Sequence, residues 1–143
     1  MQMTKFTDYG LRVLIALAVT PDRAMGAAEI ARRYGLSQHH VAKIATALVA
    51  GGFVTSERGR GGGLRLARAA NLIQLGPVVR HLSQTDSLVE CMGHGPEGCA
   101  ISPACGLRGP LQQAREAFFN VLDGYTVADC ACQKDQLRAL LAI

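Results

Sequence analysis

Between Phe6 and Thr20 the apolar residues Leu11, Leu14, Ile15 and Ala18 fall at the i, i+3, i+4, i+7 spacing of a helix with one buried face. A second, short helix is predicted over Ala27 to Tyr34. Gly35-Leu36 then makes a tight turn, and Ser37 is placed to cap a third helix carrying Val41, Ile44, Ala45 and Leu48 on one side and ending near Ala50. The periodicity then changes. Phe53 to Glu57 reads as a strand, Arg58-Gly59-Arg60-Gly61-Gly62-Gly63 as a flexible basic turn, and Leu64-Arg65-Leu66 as a returning strand. Leu75 to Leu82 returns to helical spacing. From Leu107 onward, Leu111, Ala114, Phe118, Val121 and Leu122 form a narrow apolar seam of the kind that seeks a partner helix. Thr126 is a further N-cap candidate, and an apolar tail, Leu137 to Ile143, closes the sequence.

This order predicts a mainly α protein with a small β-wing: a winged helix-turn-helix unit over residues 1–82, a loop over 83–106, and a long dimerisation helix with a C-terminal tail over 107–143. Composition agrees. With 5% aromatic residues and no Trp, the core has to be built from Leu, Ile, Val and Ala, which suits packed helices. No apolar run approaches the roughly 18 to 20 residues of a membrane span, and the N-terminus lacks the layout of a signal peptide, so the expected location is cytoplasmic.

Charge sharpens the picture. The net +4 divides unevenly: residues 1–80 hold eleven Lys and Arg against four acids, and residues 81–143 hold four against seven. The first part is therefore the one suited to a polyanion. On the third helix Ser37, Gln38, His39, His40 and Lys43 would face outward, as donors for phosphates and base edges of double-stranded DNA. In the wing, Arg58 and Arg60 can reach phosphates or a narrow minor groove, and Gly61 and Gly62 let the backbone pass close by. A nucleotide cradle is disfavoured, because no Gly-Lys-Ser/Thr follows the glycines and the next element is a strand.

The remaining chemistry lies in Cys91-x7-Cys99-x5-Cys105, interleaved with Gly93, Gly95, Pro96, Gly98 and Pro103. Structural zinc sites bring two cysteines within two to four residues of each other, and no such pair occurs in this loop, so zinc is possible without being indicated. A wider glycine-rich loop suits a bulkier iron–sulfur cluster, although three thiolates are one short of the usual four. Cysteine also serves as a small core hydrophobe, but a loop of this composition offers little core. Cys130 and Cys132, flanked by Ala128-Asp129 and Ala131, suit a helix surface and read as incidental thiols. Nothing points to an enzyme: there is no convergent acid–base set, no nucleotide motif and no second cluster for an electron relay.

Several stretches together carry a resemblance. They are Phe6-Thr7-Asp8-Tyr9-Gly10-Leu11-Arg12, Leu36 to Ile44, the wing Arg58 to Gly63, the three cysteines with Pro103-Ala104-Cys105-Gly106-Leu107, and Asp123-Gly124-Tyr125-Thr126. On these the chain resembles, over nearly its full length, the dimeric winged-helix iron–sulfur transcription regulators, and among them it is most similar to the nitric-oxide-sensing repressors. That resemblance implies a homodimer on an operator, with nitric oxide as the signal. It further implies a [4Fe-4S] cluster on Cys91, Cys99 and Cys105, with Asp8 from the other subunit as fourth ligand. The IscR type instead uses a histidine three residues after the last cysteine, where this chain has Arg108; His94 is a possible substitute within the loop. Arg12, at i+4 from Asp8, is placed to pair with it and so to couple to the cluster, either by holding Asp8 toward it or by competing for the carboxylate. The alternative is an iron- or redox-sensing regulator of the RirA or IscR type, with a [2Fe-2S] cluster.

Overall fold

The computed structural model describes residues 3–59, 61–83, 87–93 and 99–143. Helix α1 (Lys5–Ala18) begins at Thr4, whose hydroxyl accepts the Thr7 N–H at 3.3 Å, one of the donors a helix start leaves unpaired. Its buried face is not centred on the predicted stripe. Leu14 and Ala18 are buried, but Leu11 and Ile15 are only partly covered, and Thr7, Gly10, Val13 and Leu17 complete the inner face. The reason lies at Gly10. A Cβ there would stand 2.4 Å from the Leu82 side chain, so the glycine lets α4 (Leu75–Leu82) press directly on α1 and turns that side of the helix inward.

Helix α2 (Ala27–Tyr34) stops at Gly35, whose φ of 64° is the left-handed conformation that glycine adopts without cost. Helix α3 (Gln38–Ala50) follows and buries Val41, Ile44, Ala45 and Leu48, the four positions its spacing predicts. Ser37 occupies the N-cap with extended backbone, yet its side chain makes no capping bond, which leaves its hydroxyl free toward solvent.

Strands β1 (Val54–Glu57) and β2 (Gly63–Leu66) pair antiparallel, in register from Val54–Leu66 to Glu57–Gly63. Both strands are four residues long, with Phe53 lying just outside β1. A backbone bridge between Met25 and Leu64, with bonds of 3.0 and 2.8 Å, ties the root of this hairpin to the start of α2. Gly63 is required at that junction, because a Cβ would lie 2.8 Å from the Met25 carbonyl group.

Beyond α4, the short helix α5 (Glu90–Gly93) and a 3-10 turn at Ser102–Ala104 lead to α6 (Arg108–Asp123). Thr126 and Asp129 cap α7 (Val127–Cys130) reciprocally, as a capping box. The sequence-predicted tail is in fact a helix, α8 (Lys134–Leu141), followed by two residues. Its Leu141 is buried in the same core as Val127, Ala131, Leu14 and Leu48, while Leu140 faces solvent. The chain past α6 is thus held to the first helices by apolar packing, and a Gln74–Thr126 bridge stitches it to the start of α4. Among the described residues no helix is long and apolar enough to cross a membrane.

Candidate nucleic-acid interface and cysteine cavity

Burial of one side of α3 forces its other residues outward. Ser37, Gln38, His39, His40 and Lys43 are all exposed, gathered at the N-terminal end of the helix. There is no acidic residue in the first turn, so the positive end of the helix dipole is uncompensated and favours an anion. Arg58 is exposed in the turn of the wing, with Gly61 exposed and Gly62 partly covered beside it. Gly61 has φ 81°, and at Gly62 a Cβ would come within 2.4 Å of the Glu57 carbonyl oxygen, so the tight turn needs both glycines. Arg60, predicted to act with Arg58, lies outside the described residues.

The far end of α3 is fixed by a contact that sequence reading missed. His81, near the end of α4, hydrogen-bonds through Nε2 to the Ala47 carbonyl at 2.8 Å and stands edge-on to Phe53 with ring centroids 5.7 Å apart. A lone histidine on an amphipathic helix gives no signal of such a bond; only the packing of α4 against α3 reveals it.

The three loop cysteines, each partly buried, share one cavity of about 440 Å³ with Val89, Ile101, Leu107, Arg108 and Leu111. Cys91 is on α5. Cys99 begins the turn in which its carbonyl accepts the Ser102 N–H at 3.0 Å, and Cys105 ends the 3-10 turn that follows. Leu107, Arg108 and Leu111 bring the entrance of α6 to the same wall. Among the described residues no group of three or more His, Cys, Asp or Glu is drawn together as a single-ion site. Among the described residues the lining holds three soft thiols and four aliphatic side chains, a donor set spread around the cavity that suits an iron–sulfur cluster. Arg108 contributes a cation there and cannot ligate. His94 lies outside the described residues.

Asp8 is not among the residues lining this cavity. It sits on the first turns of α1, where Arg12 grips both carboxylate oxygens, Nε to Oδ1 at 3.0 Å and Nη2 to Oδ2 at 2.8 Å, while stacking over the Tyr9 ring at 5.5 Å. The predicted i, i+4 pair therefore forms. Cys130 and Cys132 are exposed. Although Cys130 is exposed overall, desolvation on its covered side, with Asp129 and Cys132 nearby, pushes its thiol upward.

An exposed polar helix face beside a glycine-rich hairpin, on one three-helix core, defines the winged helix-turn-helix class. The chain belongs to the Rrf2 family, described as iron-dependent transcriptional regulators, which matches residues 3–133. It is 41% identical to the HTH-type transcriptional regulator NsrR of Bacillus licheniformis, over 99% of this chain and all of that one. It is 38% identical to the NsrR of Halalkalibacterium halodurans, over all of this chain and 99% of the relative. The solved structure of T. potens IscR, at 23% identity, shares the fold with a TM-score of 0.72, covering 95% of this chain and 88% of that one. The protein is a transcriptional regulator of the NsrR-like kind and not an enzyme.

Proposed function

We propose that the protein is a homodimeric DNA-binding repressor whose hold on its operator depends on an iron–sulfur cluster that nitric oxide disrupts. The observation that carries this reading is the single cavity shared by Cys91, Cys99 and Cys105, in a chain about two-fifths identical to regulators named NsrR. A [4Fe-4S] cluster bound there supplies the iron with which nitric oxide reacts. The rest belongs to the chain's own residues.

The thiols of Cys91, Cys99 and Cys105 hold the group, and Leu107 and Leu111 shield it from water. Asp8 of the partner subunit would complete the ligand set, and Arg12, which engages both of its carboxylate oxygens, would either hold it toward the group or compete for it. A carboxylate is a harder and more easily displaced donor to iron than a thiolate, so Asp8 would be the most readily released of the four donors. Asp8 is on α1, the helix against which α3 packs, so its release repositions the reading head. Ser37, Gln38, His39, His40 and Lys43 enter the major groove, and Arg58, Arg60, Gly61 and Gly62 meet the adjoining backbone or minor groove. The exposed seam of α6 forms the dimer, which sets the spacing of the two heads.

Native mass spectrometry of anaerobically purified protein, before and after stepwise nitric oxide, tests the proposal. Expected is a dimer carrying one [4Fe-4S] per protomer, altered at low nitric oxide in parallel with loss of operator binding. A [2Fe-2S] cluster that tracks free iron would replace this reading with an iron or redox sensor. Zinc in the cavity would remove the sensing chemistry altogether.

A further inference from the structure

A second concave site, which none of the cysteines lines, lies at the root of the wing. It encloses about 500 Å³ between the end of α1, β2, the turn after it, and the C-terminal helices. Its floor is apolar, with Leu17, Ala18, Leu66 and Ala70, and its rim carries Arg23, Arg65, Arg68 and Lys134 without an acidic residue among the lining.

These four cations are not equivalent. Arg23 is neutralised by Glu29, which accepts two bonds of 2.9 and 2.6 Å. Arg65 donates to the Pro21 carbonyl and Arg68 to the Leu72 carbonyl, so both are held in place by neutral partners that leave their charge uncompensated. Arg68 is further braced over the Phe53 ring. Lys134 joins no ion pair among the described residues. Two arginines held in place and one exposed lysine around an apolar floor form an arrangement that recognises an anionic head on a short hydrocarbon body.

DNA phosphate is a poor candidate for this anion. Leu66 pairs with Val54 at the end of the ladder opposite the Arg58–Gly62 turn, and Ala128 and Lys134 of the C-terminal helices form one wall. We infer that this groove is a binding site for a small organic anion, a carboxylate or phosphate monoester with a short apolar chain. Lying between Leu17 and Leu66 on one side and Ala128 and Lys134 on the other, an occupant would touch the wing root and the C-terminal helices at once.

Isothermal titration calorimetry on the full-length dimer, at constant ionic strength, provides the test, with butanoate, n-butyl phosphate and inorganic phosphate as probes. Expected is saturable binding of one n-butyl phosphate or butanoate per protomer, and weaker binding of inorganic phosphate; which alkyl probe binds more tightly identifies the head group. Lys134→Gln combined with Arg65→Gln should weaken it at least tenfold. Ala69→Leu, which fills the groove and leaves every charge in place, should do the same, whereas Lys5→Gln should not. Binding that never saturates, or that survives both groove variants, overturns the proposal. The absence of binding by all three probes also overturns it, and if Lys134→Gln then lowers operator affinity and its salt slope by about one contact, the cations serve the DNA backbone instead.

Discussion

Arg80 on α4 clasps Asp123 at the end of α6 through two hydrogen bonds of 2.6 and 2.8 Å, while its guanidinium lies 4.8 Å from the centre of the Phe119 ring. The next residue, His81, holds α3. One helix of eight residues therefore grips the recognition helix with one side chain and the long α6 helix with its neighbour. Gly76 permits this closeness: a Cβ would sit 1.8 Å from the Asp123 carboxylate. Gly76→Ala should displace the clasp and lower the melting temperature, and Asp123→Asn should do so more mildly. A Gly76→Ala protein that melts like the parent would show that α4 and α6 are held by other means.

The same clasp sets a pH dependence. Hydrogen bonds from Arg80 hold the Asp123 carboxyl below its ordinary value of 3.8, and the Thr126 side chain, followed by its backbone, does the same for Asp129. A lowered folded-state value means stability that is fully present above 3.8 and is lost as pH falls through the lower value. Melting temperature should therefore drop in acid, and the gap between parent and Asp123→Asn should close there. A gap that stays constant into strong acid would contradict the sign.

Removing Thr126 tests the capping box. Thr126→Ala should cost about 0.5–2 kcal/mol, read from the denaturation midpoint, with operator affinity unchanged at the temperature of the assay.

For the reading head, Lys43→Ala and Arg58→Ala should each weaken operator binding and reduce the salt slope by roughly one contact. Gln38→Ala should instead lower discrimination between operator and unrelated DNA. Titrations at several salt concentrations separate the two effects, and an unchanged slope for Arg58→Ala would take that residue out of the interface.

Val121 is 63% exposed on α6, with Ala114 also open to solvent, whereas Phe119 on the inner side is buried against the Arg80 guanidinium. Val121→Glu should thus yield a folded monomer by sedimentation. Cys99→Ala should leave a dimer without iron and without specific DNA binding, and a variant that still binds its operator without iron would break the proposed coupling.

Much of this architecture is legible in the sequence because apolar spacing suffices where a helix buries one face against its neighbours. Val41, Ile44, Ala45 and Leu48 fix α3, and Leu75 to Leu82 is the observed span of α4. Spacing fails where burial is not a matter of hydrophobicity. Thr7 and Gly10 turn α1 away from its most apolar stripe, the first sealed by helix packing and the second chosen for its lack of a side chain. The Leu137–Ile143 segment carries too little polar contrast to declare itself a helix, and docking of Leu141 decides it. The Asp8–Arg12 pair is readable from a separation of four residues, but a common wall for Cys91, Cys99 and Cys105 is not, because it depends on how α5 and the start of α6 converge.

The bridge between Met25 and Leu64 has a mechanical consequence. The hairpin is fastened to the start of α2, and α2 leads through Gly35 directly into α3, so the hairpin and α3, the elements proposed to face DNA, are joined through α2. On the proposed function, a signal from the cysteine cavity would therefore move hairpin and helix together, changing where the pair is carried, as the jaws of a caliper keep their shape while the gap between them is reset.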